Sequence, residues 1–217
     1  MLKIFIGYDS RFPEPTHVAE YSIRKHATSP LDITFLQLAN LDFSYKVDEQ
    51  CSTEFTYTRF LIPYLCNYKG FALFLDNDIL VLNNIKDLLN LSMEKYALRV
   101  VKHKYIPSTE TKMYGTNQVP YARKNWSSVM LMNCALLKKW TKEYVENTPG
   151  IQQHQFKAIP DELIGDLPIE WNSLDYMNEL TKLIHYTSGG PWFEKYKDCA
   201  FAELWNLYRA EWNEYNG

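Results

Sequence analysis

The chain opens on an apolar run, Leu2-Lys3-Ile4-Phe5-Ile6, that stops at Gly7-Tyr8-Asp9. That is the pattern of a short buried strand closed by a turn. Pro13 and Pro15 punctuate the next stretch, and Val18, Tyr21 and Ile23 then give helical spacing over 16–27. Residues 33–38, ITFLQL, predict a second strand. The stretch 56–66, TYTRFLIPYLC, predicts a helix that Pro63 kinks or bounds. Gly70 introduces FALFL at 71–75, the apolar run resumes as ILVL at 79–82, and 84–90 predicts a short helix. Further on, ALRVV at 97–101 and SSVMLM at 127–132 predict strands and 135–147 a helix. The charged and aromatic tail, 194–215, predicts a helix packed on the outside. Strand alternating with helix at this pitch implies an α/β fold with a mainly parallel sheet flanked by helices.

No repeat, low-complexity block or linker interrupts this order, so 1–217 is read as a single domain. Residues 102–125 form one long Lys-, Tyr- and Pro-containing connection, and a loop of that length is more often functional than idle. A chain of 217 residues buries roughly 70% of its unfolded surface, so its core needs no disulfide or metal staple. With 46% apolar and 23% charged residues, intrinsic disorder, collagen repeats and coiled coil are excluded as the main reading. A net charge of −3 lacks the basic excess of a general nucleic-acid binder. The four cysteines, Cys51, Cys66, Cys134 and Cys199, form no C-x-x-C pair and read as reduced thiols. The N-terminal run lacks the long apolar region of a signal peptide. No stretch reaches the ~18 apolar residues of a membrane span. Sequons at Asn90 and Asn125 are read as coincidence, and the expectation is a cytoplasmic protein. Aromatic residues at 15% suit sugar or base stacking, but composition alone assigns them to the core.

The chemistry concentrates at Phe74-Leu75-Asp76-Asn77-Asp78-Ile79-Leu80, where two carboxylates interrupt an apolar strand at a spacing of two. Extended backbone puts Asp76 and Asp78 on one face. Burying them demands a cation, and the immediate flanks hold neither Arg nor Lys. A hard divalent cation would serve; a strand end at which Asp caps a turn is the competing reading. A second signal is Leu183-Ile184-His185-Tyr186-Thr187-Ser188-Gly189-Gly190-Pro191-Trp192. It sets an imidazole beside a Gly-rich turn whose backbone N–H groups suit phosphate. Alone, His185 reads as a structural histidine; beside a carboxylate pair it reads as a metal ligand. P-loop, dinucleotide-binding, zincin and nucleophile-elbow motifs are absent from the sequence.

Together these segments resemble GT-A fold glycosyltransferases, and in particular glycosyltransferase family 8 with its phage and bacterial relatives. FALFLDNDILVL is similar to the aspartate-x-aspartate strand, LKIFIGYD to the first strand, and TYTRFLIPYL to the helix before the metal strand. NWSSVMLMN at 125–133, PDELIGDLPIEWN at 160–172 and HYTSGGPW at 185–192 resemble the later motifs in the same order. The chain departs from the pattern at three places. Glu162 follows Asp161 where the family has Gln, Ser128 stands where it has Gly, and Gly190 precedes Pro-Trp where it has a phosphate-binding lysine. Lys102, Lys104 or Arg123 in the long connection are the candidates to substitute for it.

The resemblance implies a GT-A (Rossmann-like) fold and a metal-dependent retaining glycosyltransferase. It would move a hexose, glucose or galactose, from a UDP-sugar to an acceptor that the sequence does not identify. It implies manganese or magnesium on Asp76, Asp78 and His185. Donor contacts fall on Tyr8, Asp9, Arg59, Asp76, Asn77, Asp78, His185, Gly189, Gly190 and Trp192, and catalysis on Asp161 and Glu162. Residues 1–101 would form the nucleotide- and metal-binding half, 102–192 the half for donor sugar and acceptor, and 193–217 a helical tail. The acceptor side is expected at 102–125, since long loops set specificity on rigid scaffolds. A non-catalytic nucleotide-sugar-binding module and a metal-dependent nucleotidyltransferase are the alternatives.

Overall fold

The computed structural model describes residues 2–44, 53–104 and 121–216, and the backbone alone at 111–112 and 116–117. Cys51 and most of the 102–125 connection (105–110, 113–115 and 118–120) lie outside the described residues, and with them most of the stretch expected on the acceptor side. In chain order the elements are β1 (Lys3–Gly7), α1 (Glu14–Lys25), β2 (Asp32–Leu36), α2 (Ile62–Leu65), β3 (Phe71–Leu75), β4 (Ile79–Val81) and β5 (Leu98–Val100). There follow β6 (Thr111–Lys112), β7 (Thr116–Asn117), β8 (Val129–Asn133), α3 (Lys142–Asn147), α4 (Gly150–His154), β9 (Ile164–Asp166), β10 (Ser173–Leu174), β11 (Leu183–His185) and α5 (Ala202–Asn216).

Six strands form the main sheet in the order β2-β1-β3-β8-β5-β9. β1 runs parallel to β2 and β3, and β5 to β9, while β8 is antiparallel to both neighbours. The architecture is the expected mixed, mainly parallel α/β sheet. Along β3, Leu73 and Leu75 point into one apolar cluster with Ile4, Ile6, Val129 and Leu131, while Ala72 and Phe74 point into another with Phe5, Met130 and Met132. This period-two division explains why central strands read as unbroken apolar runs: both faces are covered.

A second, three-stranded sheet, β10-β11-β4, was not legible in the sequence. β3 belongs to the first sheet and β4 to the second, so the chain changes sheets across Asp76-Asn77-Asp78. β4 and β11 pack with α1 and α5 around Val18, Leu80, Ile184, Tyr186, Trp205 and Tyr208. The tail does form the expected outer helix. It is tied to α1 by Lys25 Nζ to Glu211 Oε2 at 2.5 Å and by a His26–Tyr208 hydrogen bond at 2.8 Å. Among the described residues, no helix is long and apolar enough to cross a membrane.

Several helices are shorter than their patterns predict. The 56–66 stretch is a 3-10 turn, Thr58–Leu61, followed by the single turn α2, which carries Pro63 in its first turn; there the missing N–H costs nothing. Residues 84–90 form a 3-10 helix over Ile85–Asn90. The 135–147 helix breaks at buried Trp140 and restarts where the Thr141 side chain accepts from the Tyr144 N–H. The strand expected from 127 begins at Val129, because Asn125 takes φ +64° and a 3-10 turn, Trp126–Ser128, intervenes.

Leu73 sits fully buried at the middle of the main sheet. Leu73→Ala is expected to cost about 2–5 kcal/mol, read as a lowered urea midpoint without loss of cooperativity.

Candidate functional site

The site begins where the two sheets diverge. The Asp76 N–H still donates to the Ser128 carbonyl at 2.9 Å, an extension of the β3–β8 pairing. Two residues later the chain enters β4, paired antiparallel with β11 so that Ile79 faces His185. The Tyr186 N–H donates to the Asp78 carbonyl at 2.8 Å. This register brings His185 Nε2 to 3.3 Å from Asp78 Oδ1. Ligand atoms of Asp76, Asp78 and His185 all lie within 4.8 Å of one another. The three metal ligands expected from the sequence are therefore brought together, about 110 residues apart along the chain for the aspartates and the histidine.

Hydrogen bonds fix the imidazole. His185 Nδ1 lies 2.9 Å from Asn172 Oδ1. The other end of that amide donates from Nδ2 to Ser128 Oγ at 2.9 Å, and the Ser128 hydroxyl donates to the Asn125 carbonyl at 2.7 Å. The Asn172 oxygen can only accept, so Nδ1 carries the proton and Nε2 is the atom turned to Asp78. Burial opposes charge on His185, but the carboxylates of Asp78, Asp76 and Asp175 outweigh it and raise its pKa above the ordinary histidine value. The space between Nε2 and the carboxylates thus attracts positive charge. Two carboxylates and one oriented imidazole nitrogen are donors that suit a divalent cation.

The cation missing from the flanks arrives from the 3-10 turn before α2. Arg59, 5% exposed, reaches Asp76 Oδ1 at 2.7 Å and donates to the carbonyls of Ser127 at 2.9 Å and Phe55 at 3.2 Å. Its guanidinium lies 4.8 Å from the Phe74 ring centroid and 5.2 Å from that of Phe55. Tyr121 stands beside this pair: burial raises its phenol pKa, with Arg59 lowering and Asp76 raising it. Buried Lys124 places Nζ 5.6 Å from the Tyr121 ring.

The Gly-rich loop after β11 owes its glycines to packing. Gly189 has φ +131°, and a Cβ on Gly190 would lie 1.9 Å from the Trp192 ring. A lysine at 190 is thus excluded by the indole, which itself packs 5.2 Å from Trp205. Ser188 Oγ donates to Asp175 Oδ2 at 2.7 Å, anchoring the loop to the segment after β10. Burial raises the Asp175 pKa. Asn77 Nδ2 is 3.4 Å from Thr16 Oγ1. Tyr8 stacks on Phe35 at 6.0 Å, and buried Asp9 holds Arg11 through Nε at 2.8 Å.

Asp161 and Glu162 stand apart from this polar chain, exposed in a 3-10 turn before β9. Arg123 Nη2 meets Asp161 Oδ1 at 2.5 Å and holds its carboxyl below the usual carboxylate range. Of the expected lysine substitutes, Arg123 is occupied here and Lys102 lies 3.3 Å from Asp166. Sequence reasoning missed the roles of Asn172 and Ser128 in holding His185, although both lie in motifs that it singled out. It also missed His103, which lies beside Asn172. Burial, then the field of His185, holds His103 down to about 4, against a hydrogen bond with the Asn172 backbone.

Residues 29–154 match the family model described as glycosyl transferase family 8. The chain is 40% identical to Protein CDI of Arabidopsis thaliana over 99% of its own length and 88% of that protein's. Among solved structures it is similar to the bifunctional glycosyltransferase WbbM, with a TM-score of 0.68 at 15% identity, covering 96% of this chain and 49% of WbbM. It is also similar to an active-site mutant of LgtC, with a TM-score of 0.68 at 14% identity, covering 97% and 96% of the two chains. The galactosyltransferase LgtC in complex with donor and acceptor sugar analogs gives a TM-score of 0.61 at 15% identity, with the same coverage. At these identities the solved structures speak for the fold.

Removing the Arg59 guanidinium leaves the Asp76 carboxylate without the cation that reaches it from inside the protein. Arg59→Met is expected to destabilise the fold by about 3–5 kcal/mol, measured by chemical denaturation against Lys142→Met, whose ion pairs lie at the surface and are screened by solvent.

Proposed function

The chain belongs to glycosyl transferase family 8, and from that membership we propose a metal-dependent, retaining transfer of a hexose, glucose or galactose, from a UDP-sugar to a hydroxyl acceptor. The observation that carries this reading is the Asp76–Asp78–His185 cluster at the sheet crossing, with His185 oriented by Asn172. A divalent cation held by these three residues would supply a Lewis acid for the departing diphosphate.

The chain's own residues do the rest. Arg59 pins Asp76 through a 2.7 Å ion pair and so restricts where its carboxylate points. Asn172 fixes the tautomer of His185 and leaves Nε2 on the side of Asp78. Gly190 is proposed to offer its backbone N–H to the diphosphate, in a loop where the Gly189 N–H is held by the Tyr186 carbonyl at 3.0 Å and which Asp175 steadies through Ser188. Tyr8 and Asp9, at the C-terminal end of β1, are proposed for the uracil and its ribose, with Asn77 and Trp192 bounding the donor. Opening of the glycosidic bond builds oxocarbenium character, which a carboxylate stabilises. Asp161 and Glu162 are proposed for that place, reaching the sugar from the exposed turn before β9. The whole of 1–217 is proposed to work as one domain, since β8 and β9 of its second half complete the sheet begun by β1 and β3.

Two measurements test the reading. Calorimetric titration of UDP is expected to show binding that depends on manganese, and Asp78→Asn is expected to abolish that dependence while leaving the circular dichroism spectrum unchanged. Manganese-dependent affinity that survives in Asp78→Asn sinks the metal assignment. For Glu162, a nucleophilic role predicts that Glu162→Gln loses roughly a thousandfold or more in kcat. A hydrogen-bonding role predicts a loss of about tenfold; UDP-glucose hydrolysis separates the two.

A further inference from the structure

The loop that follows β1 carries a cation, Arg11, that the proposed function does not use. Asp9 is buried, whereas Arg11 keeps 48% of its side-chain surface exposed. The Arg11 N–H and Nε donate to Asp9 Oδ1 at 3.2 and 2.8 Å, and Nη2 donates to Asp9 Oδ2 at 2.5 Å. A carboxylate that grips a guanidinium along its Nε–Nη2 edge fixes its plane as well as its place. The loop itself is braced twice more. Ser10 gives its N–H and hydroxyl to the Glu54 carboxylate at 2.8 and 2.6 Å, and the Phe12 N–H donates to the Asp9 carbonyl at 3.0 Å.

Two links set this loop beside the site. β1 and β3 are parallel with Ile6 opposite Leu75, so both end on one edge of the sheet, the edge at which α/β folds bind their ligands. The Gly7 carbonyl accepts from Thr16 Oγ1 at 3.0 Å, and that hydroxyl lies 3.4 Å from Nδ2 of Asn77, the residue between the two aspartates. At the other end of the loop, the Phe12 ring meets Phe193 edge to face at 5.0 Å, and the Phe193 N–H donates to the Gly190 carbonyl at 3.1 Å. Residues 7–12 thus run from the aspartate junction to the loop that has Gly190 in place of a lysine. Arg59, the cation that serves Asp76, is buried with its partner; Arg11 is not.

We propose that Arg11 is a donor-binding residue whose guanidinium, aimed by Asp9, meets the diphosphate of the nucleotide and supplies the charge that a lysine at 190 would bring. The inference rests on the glycosyl-transfer reading. A planar guanidinium held by one carboxylate suits the oxygens of a phosphate better than the neutral edge of a base or a ribose hydroxyl. UDP and uridine share base and ribose and differ only in the phosphates, so the pair isolates that contact.

The test is calorimetric titration of UDP, and of uridine in competition with it, into the unaltered protein and Arg11→Gln, always with manganese. In the variant, UDP is expected to bind roughly tenfold more weakly or worse, and uridine to change by less than about threefold. Arg11→Lys, which keeps the charge without the fork, is expected to recover part of the loss. Arg11→Gln leaves Asp9 buried without its cation. Asp9→Asn combined with Arg11→Gln removes both charges, and is expected to show the same split between UDP and uridine with an unchanged circular dichroism spectrum. UDP affinity that stays within about threefold in both variants assigns Arg11 to Asp9 alone and overturns the proposal. Equal weakening of UDP and uridine overturns it too, since the contact is then with the nucleoside or the loop has lost its shape. If the unaltered protein binds UDP with manganese, only the role of Arg11 falls; if it does not, the glycosyl-transfer reading falls with it.

Discussion

Three carboxylates and two histidines converge where β3 leaves the six-stranded sheet and β4 enters the three-stranded one, and the molecule is arranged around keeping them there. Asp76 and Asp78 are drawn in by the apolar strands on either side of them, which bury Leu73, Leu75, Ile79 and Val81 completely. The hydrophobic gain along β3 and β4 is what holds the charges at the junction, and it sets the electrostatic demand that other elements must meet. Arg59 meets that demand from the 3-10 turn before α2, with its guanidinium flanked by Phe55 and Phe74 and its remaining donors on backbone carbonyls. A guanidinium held on several sides in this way keeps one position, so Asp76 does too. His185 supplies the second positive contribution, from a strand that touches the junction only because β11 pairs with β4.

The path from Asp78 through His185, Asn172 and Ser128 to the Asn125 carbonyl assigns every hydrogen bond a direction. Ser128 occupies the place where the resemblance led one to expect glycine, and its hydroxyl is the atom that receives the Asn172 amide. Here the departure from the family pattern is itself part of the support for His185. Gly190 is a departure of another kind. The Trp192 indole lies over the glycine and packs with Trp205 and Tyr186. On the proposed reading, the positive charge that a lysine at 190 would bring has to come from elsewhere in the chain. Lys124 is buried with Nζ 5.6 Å from the ring of Tyr121, whose phenol feels the charges of Arg59 and Asp76, whereas Lys102 and Arg123 are engaged by Asp166 and Asp161.

Much of this was legible residue by residue. The β1, β3 and β8 runs announce themselves because strands covered on both faces tolerate only apolar side chains, and the two aspartates stand out against that background. The helix expected at 16–27 is α1, Glu14–Lys25, legible through the spacing of Val18, Tyr21 and Ile23, and the tail expected over 194–215 is helical from Ala202. Helix lengths were less so. TYTRFLIPYLC and 135–147 have helical composition, yet Pro63, the Thr141 cap and buried Trp140 divide them into single turns, because packing against the sheet overrides local propensity.

The sequence by itself determined the apolar strands, the acidic interruption in one of them and the histidine before a glycine pair, since burial and backbone freedom leave their mark on residue type at each position. Only the tertiary structure decided that β4 leaves its sheet, that β11 lies beside it, and that Arg59, Asn172 and Ser128 complete the polar chain. These are contacts between residues far apart along the chain, and a two-residue strand such as β10 carries too few side chains to declare a period. The physical reason is that periodicity records how one segment meets solvent and core, whereas the direction of a hydrogen bond or the partner of a buried charge depends on a second segment that the pattern of the first does not encode.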